Sequence, residues 1–236
     1  MATAERGSEH ERIRAVYAYY ESSADEQRKR DTSILGNQLN VAGKWAALQR
    51  TISHLDMRTG ATILDVGCGV GTDLQRIATQ FAHFRPSLHG IDLVPSRIEQ
   101  ARSLLPQAKL RVAGAEQLEY KDKSFDLVLA CTVFSSILDP SVARSVASEM
   151  TRVASDGAVI LCYDMRYPNP WNPYVRTISR ADLQDLFPGS RIRLTSLTLL
   201  PPLARIAGRA YGPLHAVRLL RSHYLAEIHP ARPQTV

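Results

Sequence analysis

The 236-residue chain contains no run of eighteen apolar residues, the least that crosses a bilayer as a helix. Its first residues, Met1-Ala2-Thr3-Ala4-Glu5-Arg6, lack the apolar stretch of a secretory leader. A membrane span is therefore not expected, and the expected location is cytoplasmic. Cysteine is scarce: Cys68, Cys131 and Cys162 are odd in number and show no metal-ligand spacing, which speaks against a disulfide framework or a zinc site. Each lies in or beside an apolar run and reads as a buried or site-lining thiol. Internal repeats, low-complexity tracts and long linkers are also missing, so one compact body is expected.

A continuous basic face is missing as well. The net charge of +6 comes from the C-terminal part, where residues 166–236 carry 10 Arg against 3 acids, whereas residues 1–165 are nearly balanced. Those arginines are scattered singly with few interleaved aromatics, a pattern that disfavours nucleic acid as a partner. An acidic small substrate, or solubility alone, accounts for it more simply. With 44% apolar and 22% charged residues, the chain has ordinary globular composition.

Helical periodicity fills residues 8–57: Ile13, Val16, Tyr17 and Tyr20 recur at helical spacing, and Trp45, Leu48, Ile52 and Leu55 do so again. The pattern then becomes short β-branched runs alternating with helical stretches. Strands are expected at 61–67, 88–93, 110–113, 125–131, 158–164 and 191–197, with helices at 72–81, 95–105, 140–153 and 180–187. Such alternation implies a parallel sheet with helices on both faces. Pro201-Pro202 breaks it, and a helix-compatible stretch interrupted by Gly212-Pro213 precedes a last strand-like run at 223–228.

The first strand ends in Asp65-Val66-Gly67-Cys68-Gly69-Val70-Gly71. Glycines at a strand-to-helix turn permit positive φ and close approach of a ligand to the backbone. A nicotinamide fingerprint, G-x-G-x-x-G, would need its third glycine where the chain has Thr72. Asp65 separates the two cofactors further, because a carboxylate beside the loop suits a cationic ligand with an amino group better than a pyrophosphate.

These residues resemble motif I of the class I S-adenosylmethionine (SAM)-dependent methyltransferases. The resemblance extends over about residues 60–165: Gly90-Ile91-Asp92-Leu93 is similar to the family's second strand, Ala115-Glu116-Gln117-Leu118 to the segment flanking adenine, Ser124-Phe125-Asp126-Leu127-Val128 to the fourth-strand entry, and Asp156-Gly157 to the turn into the fifth strand. It implies an α/β, Rossmann-like, doubly wound seven-stranded sheet with the last strand antiparallel. It also implies an N-terminal helical lid over residues 1–57 and a SAM-binding domain over 58–236 with a helical insertion at about 198–220. The implied cofactor is SAM, leaving as S-adenosylhomocysteine, without a metal. The implied cofactor-binding residues are Asp65, Gly67, Cys68, Gly69, Gly71, Asp92, Leu93, Ala115, Glu116, Cys131 and, from the lid, Tyr20. Asp92 would accept the two ribose hydroxyls, for which a carboxylate has two acceptor oxygens.

The chain departs from the family in two places. Gly114 stands where many members carry an Asp or Asn for the adenine amine, so that contact passes to a backbone group or to Glu116. The segment after the fourth strand, Thr132-Val133-Phe134-Ser135-Ser136, lacks the histidine common in small-molecule members. Candidate bases are therefore Tyr163, Asp164, His215 and His223, and the candidate acceptor-binding residues are Thr132, Phe134, Tyr163, Arg166 and Trp171. Residues 197–224 resemble the tail of a bacterial subgroup of these enzymes and are expected to shape the acceptor pocket; the overall resemblance is to bacterial, type 11-like small-molecule methyltransferases, with natural-product biosynthesis as the expected setting. The expected function is methyl transfer to an oxygen or nitrogen of a small molecule, a secondary metabolite or sugar-like acceptor. An RNA or protein methyltransferase, a non-enzymatic SAM-binding scaffold and, more remotely, an NAD-dependent enzyme remain as alternatives, and a homodimer is left open.

Overall fold

The computed structural model describes residues 2–170 and 172–231; Trp171 lies outside the described residues. Three helices come first, α1 (Ala2–Ser22), α2 (Ala24–Arg30) and α3 (Leu35–Ser53). Seven strands follow: β1 (Thr62–Val66), β2 (Ser87–Asp92), β3 (Lys109–Val112), β4 (Phe125–Cys131), β5 (Ala154–Met165), β6 (Arg191–Leu199) and β7 (Arg221–His229). Between them lie α4 (Thr72–Gln80), α5 (Pro95–Leu104), α6 (Pro140–Val153), α7 (Arg180–Leu186), α8 (Pro201–Ala207) and α9 (Tyr211–Ala216).

The strands form one sheet in the order β3-β2-β1-β4-β5-β7-β6. β1 pairs in parallel with β2 on one side and β4 on the other, while β7 runs antiparallel to both β5 and β6. The chain thus leaves β1 in opposite directions, and the carboxyl ends of β1 and β4 splay into the crevice where open α/β sheets take ligands. Strand limits differ from expectation mainly at β5, which starts at Ala154 instead of 158 because Ala154 pairs with Phe125 across a register shift.

Two apolar layers cover the sheet. Leu64, Val66, Val128, Ala130 and Ile160 face α6 and α7, whereas Ile63, Leu127, Leu129 and Leu161 face α3, α4 and α5. This period-two alternation decides where each polar side chain at a strand end goes. It sends Asp65 to the α3–α4 side of the sheet, where Lys44 and Asp73 lie. Ser179 and Asp182 close a capping box on α7, and Asp139 caps α6 with Pro140 in its first turn.

Candidate active site

Three cavities lie in a row along the carboxyl ends of the strands. The first, about 80 Å³, is bounded by Val66, Gly67, Asp92, Glu116, Cys131 and Thr132 and is covered by His10, Ile13 and Tyr17 of α1. The second, about 360 Å³, shares Tyr17, Gly67, Cys131, Thr132 and Ser136 with it and adds Tyr20, Arg30 and Asn172. The third, about 690 Å³, shares Met165, Asn169 and Asn172 with the second and is walled largely by Tyr167, Pro168 and the run Leu200, Pro201, Pro202, Leu203.

The glycine turn is closely packed against the segment after β4. Gly67 has φ +70°, and a Cβ on it would stand 2.7 Å from a methyl of Val133, so a side chain there is excluded by both backbone and space. Asp92, 8% exposed at the end of β2, accepts from the backbone N–H groups of Gly69 (2.8 Å) and Val94 (2.9 Å). Its carboxylate is thereby held rigidly in the cavity wall, and each oxygen keeps further acceptor capacity. Thr132 has φ +58°, uncommon for a β-branched residue, with its N–H donating to Tyr163 O (2.7 Å). Such backbone strain costs about 1–3 kcal/mol and here turns the chain between the first two cavities.

Gly114 is explained by its neighbours. A Cβ there would meet the Glu116 carboxylate at 2.6 Å and His10 Cε1 at 2.7 Å. His10 Nε2 approaches that carboxylate to 2.9 Å. Helix α1 is held over the cavity by further polar contacts. Glu9 accepts from the N–H of Leu138 (2.7 Å) and pairs with Arg12 (2.8 Å), whose guanidinium also donates to Ser136 O. Burial opposes the Glu9 charge, yet Arg12 and those N–H groups outweigh it and lower its pKa. Arg97 reaches Glu21 at 2.8 Å and lies over the Tyr17 ring. Of the three neighbouring tyrosines, Tyr17 and Tyr20 face the cavities and Tyr19 is 48% exposed.

Beneath the loop sits a charged group on the α3–α4 side. Lys44 Nζ is 2.6 Å from Asp73 Oδ2. Burial works against the Lys44 charge, but Cys131 and Asp73 keep its pKa above the ordinary value. Asp65 is fully buried with Oδ1 unpartnered, and desolvation, reinforced by Asp73, drives its pKa well up. Asp65 therefore underlies the cavity instead of lining it.

The other expected residues divide. Leu93, Ala115, Glu116, Cys131 and Thr132 line the first cavity, and Tyr20 the second. The Cys68 thiol packs below the loop near Gly90, and Gly69 contributes its N–H to Asp92. Gly71 caps α4 against Ala101 and Leu105. Phe134, expected to touch the acceptor, is instead fully buried against Phe187, because a short 3₁₀ turn swings it into the α6–α7 layer. Arg166 donates to Arg218 O (3.1 Å) and lies over Tyr167. His215 stacks on Tyr211, away from the three cavities.

Asp164 is buried and accepts from the N–H of Ser135 (3.1 Å) and Met165 (2.9 Å); burial pushes its pKa up to about 6. It braces the Ser135 turn. Tyr163 is buried, with its hydroxyl 2.6 Å from Thr198 Oγ1, while His223 lines the third cavity. Sequence reasoning missed His10 as a lining residue; Met165, Asn172 and the 200–203 run fall in the segments after the fifth strand and in the tail that it places near the acceptor.

A family model described as "Methyltransferase domain" matches residues 63–157. That span holds the glycine turn, Asp92, Glu116 and the Thr132 turn. Over residues 63–157, then, the chain is similar to methyltransferase domains. Among curated relatives, a phosphatidylethanolamine N-methyltransferase of Cereibacter sphaeroides is 32% identical over 48% of this chain and 54% of its own length. Norajmaline N-methyltransferase of Rauvolfia serpentina is 30% identical over 57% of this chain and 50% of its own. The chain spans at most about three fifths of the length of these relatives and of a Synechocystis methyltransferase that is 28% identical. Among solved structures, the [4+2]-cyclase SpnF superposes with a TM-score of 0.61 at 16% identity, covering 80% of this chain and 82% of its own. Geranyl diphosphate C-methyltransferase from Streptomyces coelicolor A3(2), in complex with Mg2+, geranyl diphosphate and S-adenosylhomocysteine, gives 0.59 at 14% identity, covering 80% and 79%. These likenesses show a common fold. Among the described residues, no helix is long and apolar enough to cross a membrane, and no group of three His, Cys, Asp or Glu gathers for a metal.

Proposed function

We propose that the chain transfers a methyl group from SAM to an oxygen or nitrogen of a small molecule. The observation that carries this reading is the continuity of the three cavities: a small, carboxylate-edged chamber at the glycine turn adjoins, past Thr132, a second that leads to a much larger one. In the first, Asp92 would accept the ribose hydroxyls, Ala115 and Glu116 would flank the adenine, and Gly67 and Cys131 would pass the methionine end into the second. When bound, SAM supplies an electrophilic methyl with a good leaving group. What the protein adds is positioning and exclusion of water, worth several kcal/mol when reacting atoms are held in line. Tyr17, Ile13 and His10 serve that end by covering the chamber.

The basic C-terminal segment does not favour an RNA substrate. Arg176, Arg180 and Arg221 donate to backbone carbonyls of Ile137, Ile192 and Ser196 and so are spent on tying loops to the sheet. The fold alone does not fix the reaction, since a [4+2]-cyclase shares it. Titration calorimetry should therefore show binding of S-adenosylhomocysteine and none of NAD. Binding of NAD with no response to S-adenosylhomocysteine would overturn the reading.

A further inference from the structure

The third cavity carries a chemistry of its own. Its volume, about 690 Å³, falls within the range of small-ligand sites, and Met165, Leu200, Pro201 and Leu203 give it an apolar wall. One ring in that wall can exchange a proton. His223 stacks on Tyr163 with centroids 5.0 Å apart and planes within 5°. Its Nδ1 is 2.8 Å from Ser222 Oγ, and Ser222 Oγ donates to Thr198 O at 3.1 Å.

The contact of Ser222 Oγ with the Thr198 carbonyl points to one tautomer, which the spectra below test. The Thr198 carbonyl can only accept, so in this contact the single hydroxyl proton of Ser222 is directed at it. Ser222 Oγ must then accept from His223 Nδ1–H. The proton sits on Nδ1, and Nε2 carries a lone pair. Thr198, which anchors the chain, is itself held by the Tyr163 hydroxyl and has φ +63°.

We propose that the third cavity binds an acceptor with an apolar body and a hydroxyl group, and that His223 Nε2 takes the hydroxyl proton during methyl transfer. The proposal rests on the SAM-dependent reading above. The acceptor oxygen forms the new bond to the methyl carbon, the carbon–sulfur bond breaks with its electron pair remaining on sulfur, and the hydroxyl proton goes to Nε2. Burial, with Lys44 contributing, lowers the His223 pKa to about 4, so the ring is neutral at neutral pH. The other charged or titratable groups around it are Tyr163 below the ring and Lys29, Glu26 and Arg205 across the cavity. Ser222 is a positioning residue, acting only through the ring.

The test uses the full chain with 1-naphthol as the apolar hydroxyl probe and D-glucose as its polar counterpart. S-adenosylhomocysteine is titrated first, and failure at that step sinks the methyltransferase reading itself. In the loaded protein, 1-naphthol should bind and should be displaced at least tenfold by Leu203→Trp, with the affinity for S-adenosylhomocysteine within twofold of the original. Nitrogen-15 spectra should show the Nδ1–H tautomer of His223, and Ser222→Ala should shift the ring toward the other tautomer. With labelled SAM, His223→Gln should slow transfer to 1-naphthol by 100-fold or more, the usual worth of a general base. The proposal is overturned, with cofactor binding intact, by absence of 1-naphthol binding or transfer, by preference for D-glucose, by an Nε2–H ring, or by an unchanged rate in His223→Gln.

Discussion

The cofactor side and the acceptor side of the site are built in opposite ways. Around the first cavity the floor is the strand ends and the turns that follow them, roofed by α1, and Asp92 is locked by two N–H donors from the chain it touches. Around the third, the wall is made of long or ring side chains contributed by α2, the loop after β5, α8 and β7. Backbone at strand ends is fixed by ladder hydrogen bonds and cannot be reshaped without disturbing the sheet. Side chains on added helices and loops can change while the sheet stays. On the function proposed above, one end of this molecule would serve as a fixed receptor for the cofactor, and the other is where acceptor choice would reside.

Substitutions on the two sides should separate in what they disturb. The largest effect is expected from Asp92→Ala, which removes the ribose acceptor together with the brace on Gly69. Affinity for S-adenosylhomocysteine should fall by about 2–5 kcal/mol, the worth of two charge-assisted hydrogen bonds. Calorimetry reads this directly, and unchanged affinity would dissolve the contrast by placing the ribose elsewhere. Gly114→Ala comes next. The added methyl would strike the Glu116 carboxylate and His10, so overpacking of about 1–3 kcal/mol should appear as loosened α1 and roughly tenfold weaker cofactor binding. Normal binding with α1 still protected in hydrogen exchange would show that the Glu116–His10 contact has no part in closing the cavity.

Acid pH should affect the acceptor side through His223. Its pKa is near 6.5 unfolded and about 4 in the fold, so between those values the unfolded chain binds more protons. Stability should therefore be lost as pH falls from 6.5 to 4 and be flat above that window as far as this ring is concerned. His89, also lowered to about 4 by burial with help from Lys109 and Arg111, adds to the same slope. Urea midpoints for His223→Gln should fall less steeply on acidification than those of the unaltered chain, by an amount on the order of 1–2 kcal/mol; parallel curves would remove the ring from this account. The smallest effect is expected for Glu9→Gln. It weakens one partly buried brace of α1, costing about 0.5–1.5 kcal/mol, and should raise hydrogen exchange in α1 while leaving 1-naphthol binding unchanged.

Much of this could be read without coordinates. The β-branched runs and their spacing located the strands to within a few residues, because a strand between two helical layers is apolar on both faces. The order of three glycines, with Asp65 before and Asp92 after, marked the cofactor end. That end was legible because its parts are neighbours in sequence: turn, strand end and helix start follow one another within thirty residues. That α1, the end of β5, the loop after it and the tail lie near the site was expected, but which of their side chains meet in one wall, His10 among them, was not legible, since those segments are far apart along the chain and come together only when β7 inserts between β5 and β6. Phe134 and His215 show the same limit, as nothing local tells a ring which way a short turn will swing it.

By itself, then, the sequence determined where the strands lie and the glycine turn, which follow from local periodicity and short-range spacing, while the cofactor class rests on the resemblance those residues carry. Tertiary structure decided the rest: that Asp65 lies beneath the cavity, that Gly114 makes room for Glu116 and His10, and that His223 joins the wall of the third cavity. Each of these depends on which face of a strand a residue occupies relative to partners more than a dozen positions away, and only packing of the whole chain sets that.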